Sequence, residues 1–166
     1  MPEEIVWRGS SSQWKNFGSF LLQILLAGVI VMIFAVIWRG SSSSIKSFSP
    51  SILVLLAVPI FMALANYLKT KNKVYELTSE RLKTTEGVFS KVTDTLELYR
   101  VKDLETRKPF LYRIVGIENV QLNTSDTSSP VIVLDAIPAN VALGDKIRNQ
   151  VEIIRQQKGV REIDVE

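Results

Sequence analysis

The 166-residue chain has no cysteine and no histidine. Those absences exclude disulfides, thiolate nucleophiles, metal sites built on Cys or His, and imidazole acid-base catalysis. Charge is also missing from two long stretches. Phe20 to Trp38 (FLLQILLAGVIVMIFAVIW) is uncharged and holds one polar side chain, Gln23; its roughly 19 residues suffice to cross a ~30 Å hydrocarbon core as a helix. Ile52 to Leu68 (ILVLLAVPIFMALANYL) is similar over about 17 residues, with Pro59 in its middle and Asn66 near its end. A soluble amphipathic helix needs a polar face, and neither stretch has one. The reading is therefore a transmembrane hairpin over residues 17–68, with spans at about 20–38 and 52–68. A cleavable leader is the competing reading of the first stretch; Ala-Val-Ile-Trp offers no small-residue cleavage pair and a second span follows. Pro59 is expected to bend its helix, which a bilayer tolerates when neighbouring helices re-satisfy the freed carbonyl.

The flanks give the hairpin an orientation. Lys69, Lys71 and Lys73 follow the second span directly, with Arg81 and Lys83 close behind, whereas the serine-rich bend RGSSSSIKSFSPS carries only Arg39 and Lys46. Cations accumulate on the cytoplasmic side, so the polar C-terminal part is expected there, in the inner membrane of a bacterium, and two spans bring the N-terminus to the same side. Residues 1–16 read as a juxtamembrane arm. Trp7 and Trp14 before the first span and Trp38 at its far end read as interfacial anchors, and Lys69, Lys71 and Lys73 as residues at the lipid headgroups; Trp7 has a second reading, lying against the domain. From Lys69 onward acids and bases balance, which leaves no basic field of the size nucleic acid requires.

Beyond the lysines the texture changes to alternation over roughly 98 residues, room for one compact domain at about 73–159. Lys73 to Thr78 sets Tyr75 and Leu77 on one face and Val74 on the other, and Arg81 to Glu86 continues as a second strand before Gly87. Val88 to Thr93, Asp94 to Val101 and Leu111 to Leu122 supply further strands, the last interrupted at Gly116. Asn123 to Pro130 reads as a polar hairpin loop. Val131 to Ile137, an unbroken apolar run, is expected in the middle of the sheet. In residues 141–158 the period becomes helical: Ile147, Val151 and Ile154 share a face opposite Arg148, Glu152 and Arg155, with Asn140 as N-cap and Gly159 as the residue that ends the helix. Residues 160–166 read as a tail.

The strand beginning Tyr75-Glu76-Leu77-Thr78-Ser79-Glu80-Arg81-Leu82, the break at Gly87, the Gly116-Ile117-Glu118-Asn119-Val120 segment and Ile137-Pro138-Ala139 before a helix together resemble the bacterial pleckstrin-homology (PH) domain family of small membrane proteins. Glu4-Ile5-Val6-Trp7-Arg8-Gly9 and Ser12-Gln13-Trp14, ahead of two spans, look like that family's lead-in. The resemblance implies an α+β membrane protein: a helical hairpin and a bent antiparallel sheet or partial barrel, nominally of seven strands, capped by the C-terminal helix. Eukaryotic relatives of the fold can bind inositol phosphates through a basic loop between the first two strands. The corresponding stretch here, Thr78-Ser79-Glu80-Arg81, sets one base beside one acid, so fold likeness does not carry that binding over.

Three functions compete. The first is a non-enzymatic interaction module or scaffold, anchored in the lipid bilayer, that binds a protein partner or its own copies. The second is an enzyme without His or Cys, for which only acid pairs such as Asp103 with Glu105 or Asp94 with Glu97, near Lys102 or Arg107, are available. The third is a pore-forming oligomer with Gly28 at a helix interface and Gln23 or Asn66 along the path; Ile24 and Met32 flank Gly28 at four residues' distance, so there is no pair of small residues at that spacing. The first reading fits the architecture best: no cofactor or metal, no nucleic acid, no catalysis.

Overall fold

The computed structural model describes residues 3–40 and 49–159. Residues 41–48 of the serine-rich bend and the tail 160–166 lie outside them. The chain forms two compact units. One is drawn from its two ends, through Lys15 and from Lys69 onward, and the other runs from Asn16 to Leu68.

The second unit holds helices α1 (Phe17–Gly40) and α2 (Ser49–Lys71), each extending a little beyond both ends of the apolar stretch within it. Both are long and apolar enough to cross a membrane. Their apolar side chains point outward; Leu22, Ile24, Val36, Val54 and Phe61 are each exposed. The polar groups turn inward. Ser19 Oγ accepts from Asn66 Nδ2 at 2.9 Å and from Gln23 Nε2 at 3.3 Å, and Asn16 Nδ2 donates to the Asn66 carbonyl at 3.3 Å. Asn66 thus reaches across the seam to α1, while the Gln23 amide bonds along its own helix and its Oε1 is buried without a hydrogen-bond partner among the described residues. α2 runs unbroken through Pro59.

Among the described residues, the first unit is built from seven strands in two antiparallel sheets. β1 (Ile5–Ser10), β2 (Val74–Thr78), β3 (Arg81–Glu86) and β4 (Val92–Glu97) form one sheet in sequential order, and β5 (Val101–Arg107), β6 (Ile117–Thr124) and β7 (Val131–Pro138) form the other. The alternation in β2 and β6 places Tyr75, Leu77, Val120 and Leu122 inward, where they meet Leu82, Leu96 and Leu134. A one-turn helix, α3 (Phe110–Ile114), joins β5 to β6. The long C-terminal helix α4 (Leu143–Lys158) closes the core with Leu143, Ile147, Val151 and Ile154 and leaves Arg148 and Glu152 outside. Gly159, at φ 64°, ends it in the left-handed conformation expected of that residue.

Six expectations change. Residues 1–16 are not simply an arm: β1 pairs with β2 from Ile5↔Thr78 to Ser10↔Val74, and the Trp7 indole packs against the core. Val88 to Thr93 is mostly a turn, because Gly87 at φ 122° folds the chain back so tightly that a Cβ there would lie 1.8 Å from the Ser90 carbonyl oxygen. Asp94 to Val101 is not one strand: a 3-10 turn at Leu98–Arg100 buries Leu98 and carries the chain from one sheet to the other. Leu111 to Ile114 is helical. β7 lies at a sheet edge and β6 in the middle; the run Val131 to Leu134 has one face out, with Val131 and Val133 exposed. The C-terminal helix also starts later than Asn140, after a 3-10 turn at Ala139–Val141 and a left-handed Ala142.

Candidate functional site

One densely hydrogen-bonded point on the domain is a bulge in β7. Pairing slips between Glu118 and Val120, and Ala136, fully buried, takes φ 51°. A left-handed alanine costs roughly 1–2 kcal/mol, which the bulge offsets by satisfying its backbone groups. The Ala136 N–H donates to Asn119 Oδ1 at 2.8 Å and its carbonyl accepts from the Ser12 N–H at 2.8 Å. The neighbouring Asp135 N–H donates to the hydroxyl of Tyr75 at 3.1 Å, a buried side chain that also lies 3.4 Å from Ser11 Oγ.

The bulge aims the Asp135 carboxylate at two ammonium groups, Lys15 at 3.7 Å and Lys73 at 3.8 Å. Lys15 is the last residue of the domain before α1, and Lys73 follows α2 by two positions. One acid therefore bridges the two strands of chain that enter and leave the hairpin. Lys73 also pairs with Glu86 at 3.5 Å and lies 5.7 Å from the Tyr75 ring centroid. Burial pushes its pKa down, but the attraction of Tyr75, Asp135 and Glu86 outweighs that and holds it above the ordinary 10.5. On α3, burial first and the Asp135 charge second raise the Tyr112 phenol above 10.0.

Register fixes what else shares this edge. Ser10 stands opposite Val74, Val74 opposite Thr85 and Thr85 opposite Thr93, so the β3–β4 turn at residues 87–91 projects from the end of the sheet at which the chain leaves for α1 and returns from α2. The tip of that turn is Phe89, fully exposed at 103%. In the other sheet Ile117 faces Pro138, which puts α3 at the bulge end of β7. Phe110, Leu111 and Ile114 of α3 are exposed at 73, 67 and 67%.

The residues expected at a membrane interface divide. Trp7 is half-buried on the core, not free for an interface, because the indole folds back over Gly9; a Cβ at Gly9 would lie 2.3 Å from its ring. Trp14 is exposed in the 3-10 turn Gln13–Asn16, and Trp38 lies against Phe34 at 5.4 Å between ring centroids with the rings tilted by 37°. Lys69 and Lys71 are exposed at the C-terminal end of α2, while Lys73 belongs to the acid network. The candidate catalytic acids are engaged locally. Glu105 takes a two-pronged bond from Arg107 at 2.7 and 2.9 Å, Asp103 accepts the Leu104 N–H at 2.7 Å, and Glu97 pairs with Arg81 at 2.9 Å. Asp94 and Lys102 stand on exposed strand surface. No group of three acids suited to a metal forms among the described residues. Sequence reasoning missed Asp135, Phe89 and α3; the only signals were an acid within an apolar run and an aromatic two residues after a turn glycine.

The profile of bacterial PH domains matches residues 17–152, both apolar helices included. The chain belongs to the bacterial PH domain family. A solved structure described as the Vps36 N-terminal PH domain is similar at 20% identity with a TM-score of 0.39, over 54% of this chain and 68% of that one. No curated protein matches the chain. In this PH domain the first strand precedes the hairpin, which moves the loop compared above. Thr78 to Arg81 is the turn between the second and third strands, and the connection between the first two is the hairpin itself. Arg81 in that turn is engaged by Glu97 and by Glu3 at 3.8 Å.

Proposed function

We propose that the PH domain is a non-catalytic interaction module tethered to the bacterial inner membrane by its own α1–α2 hairpin, with both chain ends in the cytoplasm. The observation that carries this reading is the pairing of β1 with β2. Two strands that form one sheet lie on one side of a bilayer, so the apolar segment between them crosses an even number of times, and two helices of spanning length supply that number. Lys69 and Lys71 beside α2 favour the cytoplasmic side. Placing the tether inside the domain, between adjacent strands, fixes the domain at the membrane through two short connections rather than one.

Such a module acts by presenting surface at high effective concentration to membrane neighbours or to further copies. The cleft between β5 and α4, about 130 Å³ and lined by Val101, Leu104, Arg148, Val151 and Glu152, lies along the outer edge of the second sheet, where an extended peptide adds by backbone pairing. A pore has less support, since the Asn66 amide is spent on Ser19 of α1, the Gln23 amide bonds within its own helix, and a Cβ at Gly28 would touch nothing within 4 Å. Extraction of membranes with alkaline carbonate should leave the full chain in the pellet. Capture of solubilised full chain should yield a partner, or further copies, lost in Leu104→Arg. Release by carbonate would refute the tether, and capture unaffected by Leu104→Arg would move the binding surface elsewhere.

A further inference from the structure

The edge that carries Phe89 and α3 has more exposed apolar surface than a domain surface in water needs. Phe89 has no contact that shields it, and Phe110, Leu111 and Ile114 on one short helix are each at least two-thirds exposed. Large apolar groups clustered on one side of a small domain mark a place where something apolar sits. Three observations say what. The β3–β4 turn extends beyond Glu86↔Val92, past the row in which Ser10 and Val74 join the hairpin. Glu86 at the root of that turn, Lys73 and Asp135 form a continuous chain of ion pairs that leads to the bulge beside α3, so the two apolar tips belong to the same side. Lys91 next to the first tip and Arg113 within the second are both exposed, which gives each apolar group a cation at its shoulder.

We infer that Phe89 and the Phe110–Ile114 helix dip into the interfacial layer of the bilayer that the hairpin crosses, with Lys91 and Arg113 at the lipid phosphates. The occupant is lipid because the chain at this edge runs into spanning helices within a few residues. The side chains have the chemistry of that layer, aromatic and aliphatic groups below and basic groups above. The opposite end, with the β2–β3 turn and the β6–β7 turn, then faces the cytoplasm. This rests on the tether proposed above.

The chain has no cysteine, so single sites can be labelled in the full-length protein. Phe89→Cys, Ile114→Cys, Ser128→Cys in the β6–β7 turn and Val29→Cys in the middle of α1 each receive an environment-sensitive fluorophore. The proteins are reconstituted in vesicles of phosphatidylcholine and phosphatidylglycerol, permeable to iodide from both sides. The labels at 89 and 114 should emit to the blue of the label at 128, be quenched by nitroxides placed just below the headgroup, and resist iodide several-fold better. Labels at 89 and 114 as open to iodide as that at 128, with the label at 29 in lipid, would overturn the inference and leave the tether standing. A label at 29 open to iodide would overturn both. Labels at 89 and 114 shielded from iodide but not quenched by lipid nitroxides would overturn it in favour of a second copy of the chain.

Discussion

Trp7 separates two accounts of the N-terminal segment, because an interfacial anchor and a core residue respond differently to truncation. In the structure the indole packs on the cluster that includes Leu77 and Leu82, over the Cα of Gly9. Full removal of a buried tryptophan costs about 3–5 kcal/mol, and Trp7 is half-buried, so Trp7→Ala should destabilise the domain by about 2 kcal/mol. For a domain of this size that lowers the melting temperature by about 8 °C. Gly9→Val should act in the same direction by displacing the indole, and Trp7→Phe should retain most of the stability. The assay is the thermal loss of β-sheet circular dichroism in solubilised full chain, with hydrogen exchange of the Val74–Thr78 amides as a local report on the β1–β2 ladder. Trp7→Ala should speed exchange in those amides before it does so in β6. A variant that melts like the wild type, with unchanged exchange in β2, would refute the packing of β1 on this domain.

Three further outcomes follow from particular contacts. Tyr75→Phe removes the acceptor of the part-buried Asp135 N–H and should cost about 1 kcal/mol in the same melts, with Tyr75→Leu worse because the ring is lost as well. Gly87→Ala meets both a positive φ and the Ser90 carbonyl, and should destabilise by about 2 kcal/mol or more, opening the β3–β4 turn to proteolysis. Lys73 and Tyr112 both have pKa values raised by folding, so what they contribute is complete below their unfolded values near 10 and is lost as pH rises through the folded ones; stability should be level from neutral pH to about 10 and then fall. Lys73→Met and Tyr112→Phe should each flatten that alkaline fall, as read by urea melts across the range.

What was legible in the sequence is what depends on neighbours in the chain. The uncharged runs give the two long helices. The spacing of Ile147, Val151 and Ile154 gives the buried face of α4, and the alternation of Tyr75 and Leu77 gives β2. What was not legible depends on residues far apart. Nothing in IVWRGS says that its partner is the strand beyond an intervening hairpin, since strand pairing is a choice among edges and not a local propensity. The left-handed Ala136 is equally silent, because alanine disfavours that conformation and only the bonds to Asn119 and Ser12 hold it there. The helical turn at Phe110–Ile114 follows Pro109, whose fixed φ suits the start of a helix, but a run of LYRIV reads as strand when its exposure is unknown.

The central claim is that the two sides of the hairpin belong to one sheet and therefore to one side of the membrane. Single-cysteine variants Glu4→Cys, Ser43→Cys and Ser128→Cys, probed with a membrane-impermeant maleimide in intact and permeabilised cells, test it directly. The account predicts that positions 4 and 128 label only after permeabilisation while position 43 labels from outside. Labelling of positions 4 and 128 from opposite sides would contradict it, because β1 could not then pair with β2.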